Sequence, residues 1–346
     1  MVATKQHSAK ERFNRIFSIV GLTIGGIILV GLMLYVQRTM DLKTVLEGIR
    51  PLWLAGAALC IPVSESIDGL IFYGMGAAAG CPVRLSGCLD AAYIGEFYYK
   101  LGPAGAPIQL KLMYDAGMSA TYTASIYTWK LVANTLVYTG YAVAALLYEV
   151  FWRQEGLGPA VAGAGILIVL YVALCALALF TAAKPDPIRR LVRRILTWLS
   201  RHWKVMAREG MVEKAMGKVD EFCEQLGVLR GKKRMLAGLF AGMFLELTAL
   251  FSIPYFLYRG LGLTGCSFWE LVLVQCLVMV LSRIIMLPGN AGGAEGSFFL
   301  FMGPVFGGHT AVALVLWRFA GFLEVLLLGG GWSVIRFARR AVGRGH

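Results

Sequence analysis

The charged residues of this chain stand where charge is expensive. Glu65, Asp68, Glu96, Glu246, Glu295 and Glu324, together with Lys100, Lys130, Arg283 and Arg318, fall inside or beside long apolar runs. At the centre of a bilayer an unpaired charge costs roughly 2.5–3.5 kcal/mol or more, so a set of this size implies a polar interior with a function. Two chemistries suit these residue types. Arginine and lysine hold phosphate. Carboxylates hold an ammonium group or act as general bases. Glu65 and Asp68, in the run IPVSESIDG, have the i, i+3 spacing that puts both on one helix face. Arg318 and Glu324 do not share a face, so separate partners are expected for them.

The stretch LPGNAGGAEGSFFLF, residues 287–301, must position part of this set. Pro288, Gly289, Asn290, Gly292 and Gly293 break a helix just before Glu295. In lipid such a break is tolerated only where protein or a water-filled cavity satisfies the freed backbone groups. The exposed N–H groups of a restarting helix attract anions. With Arg283, Arg318, Lys130 and Asn290 they predict an anion site. An earlier run, LGPAGAPIQLKLMYDAG, offers a second break at Pro103 and Gly105. The glycine-rich run lacks the terminal Lys-Ser/Thr of a nucleotide phosphate loop and follows a membrane helix, which excludes that reading.

The elements around these residues are membrane helices. Hydrophobic residues make up 58% of the chain and charged residues 15%, with mean hydropathy +0.68, where soluble domains are about 45–50% apolar and about 25% charged. No strand-length alternation suggests a barrel. The net charge of +13 is read as a topology signal and an attraction to anionic lipid, with no nucleic-acid partner. Seven cysteines stand singly without a CxxC pair, and the histidines form no HExxH-type cluster. No disulfide framework, metal site or cofactor is expected. The first apolar segment carries no secretory cleavage signature and is read as an anchor.

In order, the sequence predicts helices over 16–36, 52–79, 120–150, 160–182, 235–257, 267–287 and 310–335, with a broken element over 88–118. Residues 184–234 differ, holding fourteen Lys/Arg and six Asp/Glu. Ile188, Leu191, Val192, Ile195 and Leu199 recur at helical spacing there, as an amphipathic helix on an anionic membrane surface does. The second half of the segment fits a solvated helical hairpin equally well. The positive-inside rule places the N-terminus, this segment and the C-terminus in the cytoplasm of a multi-pass plasma-membrane protein. Residues 79–150 and 267–336 then form two repeats. Gly105-Ala106 aligns with Gly293-Ala294, and Trp129-Lys130 with Trp317-Arg318 at the same offset. Parity of crossings makes the repeats face opposite ways, a transporter design with the site between them. The whole chain is expected to form one transmembrane domain.

The pattern LPGNAGGAEGSFFLFMG followed by ALVLWRFAGFLEVLLLG resembles the membrane region of the lysylphosphatidylglycerol synthase/flippase family. Pro288, Gly292, Gly293, Glu295 and Arg318 carry the resemblance. The earlier Pro/Gly break is similar but departs at Ala106-Pro107 and at Gln109-Leu110. Bifunctional members, the multiple peptide resistance factors behind cationic-peptide resistance, join a flippase part to a soluble domain that transfers lysine from tRNA to phosphatidylglycerol. About ten residues are expected after the last helix, too few for such a domain. The resemblance therefore implies a stand-alone translocator of anionic or aminoacylated phospholipid. Basic residues and helix ends would hold phosphate, and Glu65, Asp68, Glu96, Glu246, Glu295 and Glu324 would hold an amine. Two alternatives remain open at this point. One is a membrane-embedded transferase using Glu295 or the Glu65/Asp68 pair as base. The other is a small-solute or ion-coupled transporter. The sequence fixes no oligomeric state.

Overall fold

A computed structural model describes residues 48–101, 105–153, 231–282 and 292–342, with scattered positions between 163 and 227. The predicted helices over 16–36 and 160–182, most of the 184–234 segment, and Pro103, Arg283, Pro288, Gly289 and Asn290 lie outside the described residues or are only partly covered. The protein is an all-α, polytopic membrane protein. The described helices are α1 (Pro51–Ala78), α2 (Leu85–Leu101), α3 (Gly105–Asp115), α4 (Ala120–Tyr148), α5 (Lys233–Phe251), α6 (Ile253–Gly260), α7 (Phe268–Ser282), α8 (Gly293–Phe306), α9 (Thr310–Arg318) and α10 (Glu324–Val342). Among the described residues four helical stretches, at 51–78, 120–151, 233–260 and 293–336, are long and apolar enough to cross a membrane. Helix α7 is apolar but shorter.

Local chemistry explains the boundaries. Pro51 opens α1 at a position where its missing N–H is no loss. Ser119 caps α4, its Oγ accepting from the Tyr122 N–H at 3.3 Å. The segment expected as one helix over 235–257 is two, α5 and α6. Pro254 cannot donate into the ladder of α5, so the chain turns at Ser252 and restarts. The last predicted helix is likewise divided. A π-turn at Phe319–Leu323 separates α9 from α10, and another at Glu149–Arg153 ends α4. Such wide turns recur near functional sites because they rotate the residues that follow.

Two clusters hold the helices together. One joins α1, α2, α3, α4 and α5 around Phe72, Cys88, Met113, Ile126 and Met243. The other joins α5, α6, α7, α8 and α9 around Phe251, Leu277, Phe298 and Leu314. Lipid is as apolar as leucine, so close contact rather than water exclusion associates such helices, and small residues at the crossings permit it. A Cβ on Gly242 would lie 2.8 Å from Ile71 of α1, and one on Gly329 would lie 2.6 Å from the Tyr93 carbonyl of α2. Helix α1 runs antiparallel to α5 and α6. The Arg50 N–H donates to the Gly260 carbonyl at one end, Cys60 meets Ser252 further along, and Ile71 meets Gly242 near the other.

Two helix pairs pack closely. Helix α2 folds back on α3, and α7 lies against α8. The order helix, break, helix, longer helical run thus occurs twice in the chain.

Candidate functional site

A cavity of about 460 Å³ opens among the helices. Helix α1 lines it with Glu65 and Asp68, α2 with Glu96 and Lys100, α4 with Lys130 and Asn134, α5 with Glu246, α7 with Gln275, and α9 with Arg318. Charged side chains from five helices therefore converge on one space. Glu65, Asp68, Glu96, Lys130, Glu246 and Arg318, all singled out from sequence, meet here.

The charges are paired unevenly. Lys130 Nζ stands 2.5 Å from Asp68 Oδ1 and 4.5 Å from the centre of the Phe72 ring. The amide of Gln109 donates to Asp68 Oδ2 at 3.4 Å and to the Ala91 carbonyl at 3.3 Å. Asp68 is only 4% exposed, so this coordination replaces lost water. Lys100 pairs with Glu96 one turn earlier at 3.2 Å. The Tyr99 and Tyr127 hydroxyls meet between α2 and α4 on the same wall.

Glu295 does two things at once. Its Oε2 accepts from the Gly292 N–H at 2.7 Å, closing the first turn of α8. Gly292 has no side chain to reciprocate, so this is half of a capping box. Its Oε1 takes Arg318 Nε at 2.8 Å and Nη2 at 2.6 Å. Gly292 starts the helix at φ +83°, a left-handed conformation that glycine adopts without strain. Glu295 is thus both the cap of the restarted helix and the ion partner of Arg318. Gly293 is the first residue of α8, and Gly105 the first of α3.

Glu65 and Glu246 have no such partners. Between the Cys60–Ser252 and Ile71–Gly242 contacts, the antiparallel register puts Glu246 on the same level as the Glu65–Asp68 turn. Among the described residues neither carboxylate makes a hydrogen bond or ion pair, and Glu246 Oε2 is buried without a donor. Glu324 begins α10 but is not a lining residue, and its Oε2 also lacks a donor.

Sequence reasoning missed Gln275 and Asn134, each a single amide in an apolar run, and the tyrosine pair on α2 and α4. It noted Gln109 only as a departure from a family pattern. It also missed a second, smaller pocket. There Arg336 of α10 pairs with Asp90 at 2.9 Å and Asp115 at 3.3 Å, while Trp332 donates to Asp90 at 2.8 Å and stacks on Tyr93 at 4.5 Å. Among the described residues no three His, Cys, Asp or Glu side chains are grouped to hold a metal ion.

The arrangement gathers paired and unpaired charges around one cavity among apolar helices. A family model described as the lysylphosphatidylglycerol synthase TM region matches residues 18–329. No curated protein matches the chain.

Proposed function

The chain belongs to the lysylphosphatidylglycerol synthase TM-region family, and from that premise we propose that it translocates a charged phospholipid, anionic or aminoacylated, between leaflets. One observation carries this reading: seven acidic and basic side chains from five helices converge on a single cavity within an apolar shell. A headgroup enters the cavity while its acyl chains stay in lipid. Its phosphate competes with Asp68 for Lys130 and with Glu295 for Arg318, so binding proceeds by exchange of partners rather than by capture on bare cations. Arg283 and Asn290 join the phosphate side. An amine on the headgroup is met by the carboxylates. The two helix–break–helix elements act as inverted repeats that expose the cavity alternately to each side. The termini and residues 184–234 face the cytoplasm, and the membrane is the plasma membrane.

The test is a leaflet assay on the purified chain in liposomes with labelled phosphatidylglycerol and lysyl-phosphatidylglycerol. Movement without chemical change is expected, with Arg318→Gln slowing it in folded protein. Appearance of a new lipid species would replace the reading with an enzymatic one. Absence of any protein-dependent movement would remove it. Single cysteines at Ser200 and Gly156 in a cysteine-free background should label from opposite sides.

A further inference from the structure

Among the described residues three cations line the cavity, and each already has a carboxylate: Lys100 with Glu96, Lys130 with Asp68, and Arg318 with Glu295. Glu65 and Glu246 are left over. They sit at one level of the antiparallel α1–α5 pair and face the same space. Among the described residues the charged groups around them are Asp68 on α1, Glu96 and Lys100 on α2, Lys130 on α4 and Arg318 on α9. A third acceptor lines the same cavity. Gln275 of α7 is 1% exposed and lines the cavity, and its side-chain carbonyl oxygen meets no donor among the described residues. A buried carbonyl without a donor is rare in folded proteins and calls for an occupant. Two unneutralised carboxylates in low dielectric call for a positive one.

Resting on the translocator reading, we propose that Glu65, Glu246 and the Gln275 carbonyl bind a small monovalent cation, a proton or an alkali-metal ion, that travels with an anionic headgroup. The reason is electrostatic. Closing the cavity around a lipid phosphate adds negative charge to a site where, among the described lining residues, carboxylates already outnumber cations. A co-bound cation offsets that charge. A headgroup bearing its own amine brings the cation with it and displaces the free one. Coupling therefore accompanies phosphatidylglycerol and is absent with lysyl-phosphatidylglycerol.

The experiment uses the full chain in liposomes that hold a trapped pH dye or a sodium dye. Labelled phosphatidylglycerol is added outside, in sodium-free buffer for the proton arm and at clamped pH for the sodium arm. One arm should show cation entry in step with lipid entry, and an imposed gradient of that cation should speed the lipid about tenfold. Lysyl-phosphatidylglycerol should move without cation entry. Glu65→Gln, Glu246→Gln and Gln275→Leu should each abolish the gradient dependence. Gln275→Leu changes no charge, so it keeps the test open should a glutamate variant fail to fold, as judged by size exclusion. Equal phosphatidylglycerol rates with and without either gradient, with neither dye responding, overturn the proposal while leaving the translocator reading intact. Cation entry without any lipid movement, lost in the same variants, removes the lipid and keeps the cation site. Movement of neither removes both.

Discussion

The two Trp-cation dipeptides of this protein occupy matching places and do different work. Trp129 and Trp317 are both buried, and the cation after each, Lys130 or Arg318, lines the cavity and holds a carboxylate. Lys130 reaches from α4 across to Asp68 on α1. Arg318 reaches Glu295 in the first turn of the neighbouring α8. Parting Lys130 from Asp68 separates two walls of the cavity and leaves every helix end satisfied. Parting Arg318 from Glu295 disturbs the carboxylate that closes a helix start. The first pair is therefore free to respond to a ligand, and the second ties ligand binding to the shape of the broken helix.

Mutations can break this contrast. The largest effect is expected from Lys130→Met, which strands Asp68 in a site where removal of one partner costs about 3–5 kcal/mol. Thermal unfolding in detergent should show it, and adding Asp68→Asn should restore most of the loss. A double variant no more stable than the single one would show that Asp68 is not the group Lys130 neutralises. Next comes Glu295→Gln. Its amide oxygen can still accept from Gly292 but no longer attracts Arg318 as an ion, a loss of about 1.5–3 kcal/mol for hydrogen bonds to a charged group. Transport should fall as well, because the charge and the cap are one side chain. If stability drops by only a few tenths of a kcal/mol, Glu295 is a cap alone and the contrast with Asp68 collapses.

Gly292→Ala sharpens the same point from the backbone. A side chain at φ +83° costs about 1–2 kcal/mol in the left-handed region. The effect should reach Arg318, read as slower lipid movement, with the Lys130–Asp68 side unaffected. The smallest effect belongs to Lys100→Gln. Its partner Glu96 is one turn away on the same partly exposed helix face, where such pairs contribute about 0.3–0.5 kcal/mol. A larger loss of stability would mean that Lys100 has a second partner in the folded protein.

The described helices and the restarts of two of them were legible in the sequence because they follow from local chemistry. Pro and Gly mark the restarts at Gly105 and Gly293, and a charge in an apolar run marks the interior. Partner choice was not legible. Asp68 meets Lys130 and Glu295 meets Arg318 across contacts that no local spacing encodes. The split at Ser252 was underread because Pro254 sits in a run apolar enough to pass for one helix. Gln275 was hidden for the opposite reason: one neutral amide barely changes the hydropathy of its helix. Glu295 could be given a cap or an ion partner from sequence, and only geometry shows that its two oxygens serve both.

The Arg336 contact has a consequence in time. Its carboxylates lie in the first hairpin, and the arginine follows 221 residues after Asp115. At a synthesis rate of 5–20 residues per second, the ribosome needs roughly ten to forty seconds to deliver it. Throughout that interval Asp90 and Asp115 lack the Arg336 contact of the finished fold. The first hairpin is therefore inserted early and locked late, and the locking contact comes from a helix made long after it.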